Sequence, residues 1–299
     1  MTKETTRGSA ELAAAMLISG TIGWFVLMSG QPVSDVVFWR CIFGAATLLV
    51  VCAALGFLRP GVISVRQAIY AALGGVALIT NWILLFASYS HASIAIGTAV
   101  YNTQPFIYVG LGAIFLGEHV TRTKIAWLVV AFVGLLMIAV VKSDVSYAGG
   151  NYALGVLMGL GAAFFYATAS VVTKKLRGVP PHLIALVQVS VGILMLAPMA
   201  DFSELPQEGG QWASLIALGV VHTGLMYILL YGGIQKLPTS IAAALSFIYP
   251  ISAVLIDLFV FDHRLHLVQT LGIGAILFGT VGMTLGWSLR GGKKPGAAV

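Results

Sequence analysis

The stretch Tyr101-Asn102-Thr103-Gln104-Pro105-Phe106-Ile107-Tyr108 lies inside an apolar run of about two dozen residues. Proline removes one backbone hydrogen bond and crowds the carbonyl four residues earlier, and the two carboxamides beside it bring polar groups that hydrocarbon cannot satisfy. Protein, water or a guest molecule must take them up. Tyr101, Gln104 or Pro105, and Tyr108 recur at spacings of three to four, which puts them on one helical face.

Working outward, the chain has 299 residues, of which 59% are hydrophobic and 9% charged, against about 45–50% apolar and about 25% charged in soluble domains. Nearly uncharged stretches of about 18 or more residues recur from end to end, so the bilayer is the solvent. The expected fold class is an all-α polytopic membrane protein. Breaking the chain at polar, Gly/Pro and charged clusters gives ten spans, at 10–29, 34–57, 66–88, 92–116, 123–141, 151–174, 181–200, 212–234, 238–261 and 266–288. The first apolar segment is longer than a signal-peptide core of about 7–15 residues and has no small-residue cleavage site, so it is read as a retained span.

Basic residues set the orientation, because positively charged loops are retained in the cytoplasm. One side collects thirteen: Lys3, Arg7, Arg59, Arg66, Arg122, Lys124, Lys174, Lys175, Arg177, Lys236, Arg290, Lys293 and Lys294. The other holds two, Lys142 and Arg264. The split predicts an even number of spans with both termini cytoplasmic. The net charge of +6 forms no basic stripe interleaved with aromatics, so no nucleic-acid partner is implied. Cys41 and Cys52 sit on one span about 16 Å apart along its axis, too far to bridge.

A self-comparison lays "SIAIGTAVYNTQPFIYVGLGAIFLGEH" (93–119) on "SIAAALSFIYPISAVLIDLFVFDH" (240–263), with Pro105 on Pro250. At the same offset of 145, Gly134 falls on Gly279, and Glu118-His119 lies one residue out of step with Asp262-His263. Five spans per half is an odd number, so the second copy enters the membrane from the opposite side and forms an inverted-topology repeat. The expected organisation is an N-terminal segment (1–9), a first five-helix repeat (10–141), a connecting loop (142–150), a second repeat (151–288) and a C-terminal tail (289–299).

Two proline-broken helices related by pseudo-symmetry, with Ser246 and Tyr249 standing where Tyr101 and Gln104 stand, are what a central binding cavity at the repeat interface requires. Pro105 and Pro250 are the candidate hinges. The candidate substrate-binding residues are Trp24, Asn81, Tyr101, Asn102, Gln104, Tyr166, His222, Ser246 and Tyr249, with Trp82 and Tyr227 as further lining. Asn81 equally suits an interhelical hydrogen bond, and mid-membrane His222 reads as a satisfied neutral imidazole or as a proton carrier. Arg40 and Asp257 lie at similar depth and are expected either to pair across spans two and nine or to snorkel separately to the interface. Gly155-x-x-x-Gly159-x-Gly161 and Gly272-x-Gly274 suit close helix packing.

These features resemble the drug/metabolite transporter superfamily in its ten-helix EamA-type branch. The resemblance covers nearly the whole chain and rests on Arg40 in "FWRCIFGAATLLV", on the "YNTQPF" helix followed by Gly117-Glu118, and on the weaker copy "SFIYPISAVLIDLFVFDH". It implies a bacterial inner-membrane exporter of aromatic and other neutral amino acids and amphipathic toxicants, working by alternating access. Spans one, three, four, six, eight and nine would surround the cavity, with five and ten outside. Phe247 at the place of Asn102 departs from strict symmetry. A broader metabolite exporter of the same superfamily, a channel and an intramembrane enzyme are the alternatives. No HExxH, GxSxG or Walker sequence occurs, so neither a catalytic site, a metal, a cofactor nor direct ATP use is expected.

Overall fold

The computed structural model describes residues 2–141, 151–199, 205–252, 255 and 267–288, and every regular element among them is helical. The elements are α1 (Lys3–Ser19), α2 (Ile22–Ser29), α3 (Val33–Ala54), α4 (Val65–Tyr101), α5 (Gln104–Leu116), α6 (Arg122–Val141), α7 (Tyr152–Lys175), α8 (Pro181–Leu196), α9 (Gly209–Gly219), a π-helical turn (Val220–Leu225), α10 (Met226–Lys236), α11 (Thr239–Leu245) and α12 (Leu267–Leu285). Six helical stretches among the described residues are long and apolar enough to cross a membrane, and three shorter apolar helices accompany them. Large apolar side chains such as Leu194, Ile114 and Val50 are 77%, 74% and 68% exposed. Acyl chains, not water, are the medium that such a surface fits.

Local chemistry sets the ends. Asn151 caps α7 by accepting from Leu154 N at 3.2 Å, and prolines open α3 and α8, where the missing N–H costs nothing. Gly117 takes φ +67° after α5, a conformation that a side chain would strain, and so turns the chain to deliver Glu118.

Helical backbone runs unbroken from Val65 to Tyr101, with no loop between the expected third and fourth spans. The segment is nevertheless not one rod. A methyl on Gly161 would sit 3.1 Å from Leu84, and one on Gly159 would sit 3.1 Å from Val100. Positions two apart on α7 therefore touch positions that a straight helix would hold about 24 Å apart. The chain doubles back between Leu84 and Val100, which restores two spans.

The repeat is visible in how α6 crosses α12. A methyl on Gly134 would meet Gly272 O at 2.5 Å and Ile276 N at 2.9 Å, while one on Gly279 would meet Trp127 O and Ala131 N, both at 2.9 Å. Adding the offset of 145 to Trp127 and Ala131 gives Gly272 and Ile276, so each contact is the other's counterpart. The molecule is two inverted five-helix repeats around a common centre, with spans five and ten packed on each other. Of the glycines expected to line helix crossings, Gly159, Gly161 and Gly272 do so; Gly274 has nothing within 4 Å of its missing methyl.

Candidate functional site

Both proline helices break just before their proline. In the first repeat Asn102 and Thr103 leave the helix, and in the second Ser246 and Phe247 do, positions 101 and 102 plus 145. At each break the backbone bonds tighten from four-residue to three-residue spacing. Thr103 N donates to Val100 O at 3.0 Å and Phe106 N to Thr103 O at 3.1 Å; Phe247 N donates to Ala244 O at 3.2 Å and Tyr249 N to Ser246 O at 3.3 Å. Tyr249 thereby supplies Ser246 O with the donor that Pro250 lacks. These are local 3₁₀ turns, the geometry that a helix adopts at a hinge.

The breaks face a group of aromatic side chains. Tyr101 meets Tyr166 edge to face, ring centroids 6.0 Å apart, and counts Asn81, Tyr227 and Tyr249 among its electrostatic neighbours. Trp82 meets Tyr227 at 6.0 Å and Tyr227 meets Tyr231 at 5.1 Å, both edge to face. Asn81 donates to Ala162 O at 2.8 Å, one of the two roles its sequence position left open, and its amide oxygen is buried without a partner among the described residues. The Gln104 carbonyl oxygen and the Tyr108 hydroxyl are in the same position. Unpaired buried polar atoms cost stability and mark a place where a bound group could supply the missing bonds.

Between these residues runs a crevice lined by Leu12, Tyr108, Tyr166, Ser170, Leu230, Ile234, Ala242 and Ser246. It is narrow, with about 190 Å³ of non-atom space counting the open mouth. A guest the size of an amino acid needs the surrounding helices to part.

Not every candidate joins this group. Trp24, on α2, contacts Phe25 at 4.7 Å, with no described contact to the tyrosines. Asn102 is buried at the first break, and Phe247, at the equivalent place, packs on Phe132 of α6 instead. Ser246 donates to Ala242 O on its own helix at 3.0 Å. His222 sits in the π-helical turn, its Nε2 2.7 Å from Thr21 Oγ1, its Nδ1 3.2 Å from Ala217 O and its ring 4.9 Å from Phe25. It joins span one to span eight at the edge of the tyrosine group.

Arg40 is 3% exposed. Its Nε donates to Thr223 Oγ1 at 2.8 Å, an Nη2 donates to His222 O at 3.0 Å, and the guanidinium lies 4.3 Å from the centroid of the Trp82 ring. Asp257, the partner expected for it, lies outside the described residues, as do Asp262 and His263. Buried Arg40 does not snorkel to an exposed surface.

Residues that were not candidates for the site from the sequence complete it. Tyr231 donates to Gln188 of α8, a buried carboxamide in an otherwise apolar span. On the side bearing the basic loops, Glu118 pairs with Lys174 at 2.9 Å and accepts from Thr239 N and Thr239 Oγ1, both at 2.8 Å, while Lys174 also donates to Leu237 O. Burial alone would raise the Glu118 carboxyl, but the bonds from Lys174 and Thr239 and the Lys174 charge outweigh it and hold the group below its ordinary range. Glu11 bonds Lys236 at 2.5 Å and Arg7 at 2.8 Å. Spans one, four, six, eight and nine are thus laced together at one end.

A model described as the EamA-like transporter family matches residues 8–140 and again 153–285, one copy per repeat. The chain is 27% identical to the uncharacterized transporter YxxF of Bacillus subtilis, over 95% of its own length and 91% of the relative's. It is 25% identical to an uncharacterized transporter of Archaeoglobus fulgidus, over 92% and 95%. The pseudopaline exporter CntI of Pseudomonas aeruginosa is 30% identical over 64% of each chain. A solved crystal structure of 17% identity aligns with a TM-score of 0.81 over 93% of this chain and 96% of its own, which establishes the shared fold.

Proposed function

We propose that this protein, which belongs to the EamA-like transporter family because two successive matches of the family model together span most of the chain, exports aromatic and other neutral amino acids, together with amphipathic toxicants, by alternating access. The observation that carries this reading is the pair of proline breaks, each half-helix ending beside Tyr101, Tyr166, Tyr227 and Tyr249 at the repeat interface. Aromatic walls suit a large apolar side chain, and the unpaired oxygens of Asn81 and Gln104 suit an ammonium group, which donates three hydrogen bonds.

Access alternates as the helices rock about Pro105 and Pro250. The ion pairs and hydrogen bonds around Glu118 close the basic-loop end, which by charge count is the cytoplasmic end. The protein then resides in the bacterial inner membrane with both termini inside. A broader metabolite exporter is the second reading, favoured by the resemblance to the pseudopaline exporter.

The test is reconstitution of the purified protein in liposomes, loading with labelled phenylalanine, tryptophan or glutamate, and comparison of efflux with and without a pH gradient. Saturable efflux stimulated by counter-substrate is expected for the aromatic amino acids, and is lost in the Tyr101→Ala, Tyr249→Ala double variant. Non-saturable flux would indicate a channel. Equal leakage from wild type and the double variant would remove the site assignment.

A further inference from the structure

Arg40 poses a problem that the transport reading does not by itself solve. A guanidinium carries five N–H donors and a charge that is never lost. Among the described residues its hydrogen-bond partners are a hydroxyl and a backbone carbonyl; no described carboxylate pairs with it. A buried guanidinium whose described bonds go to a hydroxyl and a carbonyl keeps N–H donors for an anion, and an ionisable group within the spans of a bilayer protein is functional by default.

The surroundings hold Arg40 rigidly. Gly44, one turn further along α3, lets the helix approach so closely that a methyl there would collide with Thr223 Cγ2 at 2.5 Å. The π-helical turn carries Thr223 and His222 to the guanidinium, and Trp82 covers one of its faces at 4.3 Å. Tyr227, which meets Trp82 edge on, and Tyr101 at the proline break are both electrostatic neighbours of Arg40. A fixed planar fork beside aromatic walls is the arrangement that recognises a carboxylate carried on an aromatic or apolar body.

We propose that Arg40 is the docking group for the carboxylate of the transported molecule, with Trp82 and Thr223 holding the fork and Tyr101 and Tyr227 covering the apolar part. The proposal deepens the export reading and rests on it, since it names the group that holds the carboxylate end of the amino-acid cargo. It makes the protein selective for acids over the corresponding amides, amines and esters.

The rival account gives Arg40 a purely structural task, pinning the π-helical turn of span eight. The two accounts separate in equilibrium binding to the purified protein, followed by tryptophan fluorescence or thermal stabilisation, with phenylalanine, 3-phenylpropionate, phenylalaninamide and 2-phenylethylamine as probes. Wild type should bind the two acids at least about tenfold more tightly than the amide and the amine, as befits a charge-assisted bond. This comparison needs no variant, so misfolding cannot obscure it. In Arg40→Gln the preference should vanish through weaker acid binding, with amide binding unchanged, and Arg40→Lys should recover part of it. Wild type binding acid and amide alike would overturn the proposal, as would Arg40→Gln weakening both equally. Acid-selective binding in a protein that moves no amino acid would leave the docking group in place and remove the export reading instead.

Discussion

Glu118 and Lys174 form an ion pair of 2.9 Å that joins the end of the first repeat's broken helix to the end of the second repeat's first helix. The same carboxylate caps α11 through Thr239, so one side chain ties spans four, six and nine. Side chains only 20% and 15% exposed escape most of the solvent screening that makes surface pairs weak. In Glu118→Gln the pair is lost and the basic-loop end opens more readily. With Cys41 and Cys52 replaced by alanine, a cysteine introduced at Ser170 in the crevice should then react with a maleimide from that side several-fold faster than in the Glu118 parent. Unchanged labelling would show that the contact does not hold this end closed.

The pH dependence of that closure follows from the direction of the Glu118 shift. Its carboxyl is held below the ordinary range in the closed structure, so the stabilisation is complete above the ordinary carboxylate pKa and is lost as pH falls through the lowered value. Labelling at position 170, divided by that of a free thiol at the same pH because the thiolate is the reacting form, should be flat across neutral pH and rise only in acid. The rise should be absent in Glu118→Gln, which cannot titrate. A transition near neutral pH would mean that another group governs the gate.

Gly134 and Gly279 support a prediction about the scaffold alone. Each faces the other helix's backbone, where the obstructing atoms are carbonyl and amide groups that cannot swing aside. Gly134→Ala and Gly279→Ala should each cost about 1–3 kcal/mol, the range for overpacking, and by nearly the same amount because the contacts are counterparts. Both lower the melting temperature in detergent while leaving ligand affinity in the folded fraction intact, since α6 and α12 lie outside the tyrosine group. Strongly unequal losses would contradict the two-fold relation.

The ten-span plan, the repeat and its proline breaks were legible because each leaves a mark in one dimension: apolar length, an offset of 145 and a residue that cannot donate. Gly134 and Gly279, paired by that offset, make counterpart contacts with the other's helix. The reversal between Leu84 and Val100 shows in the sequence only as the gap between the spans 66–88 and 92–116, since an apolar stretch carries no sign that helix-like backbone continues through the turn. Gln188 and Tyr231 were passed over because one carboxamide among apolar residues looks the same whether it meets lipid, water or a hydroxyl. The π-helical turn around His222 packs closely on Gly44 and Thr47 of α3, and a tertiary contact of that kind leaves no local pattern.

His222 and Thr21 offer a test of how span one is coupled to span eight. Ala217 O can only accept, so His222 Nδ1 carries the proton of that bond, and in the neutral ring Nε2 accepts from the Thr21 hydroxyl. Thr21 stands at the break between α1 and α2, within 2.8 Å of Ile18 O as well, so its one proton serves two acceptors. Thr21→Val leaves buried His222 Nε2 without a donor and should cost about 1–3 kcal/mol, whereas Thr21→Ser keeps the hydroxyl and should cost far less. His222→Phe removes both imidazole bonds while retaining an aromatic ring against Phe25. In a double-variant cycle, Thr21→Val with His222→Phe should cost clearly less than the two single changes together, because either one already breaks the shared bond. Additive losses would mean that the two side chains are neighbours without being coupled, and that the break in span one moves independently of the π-helical turn.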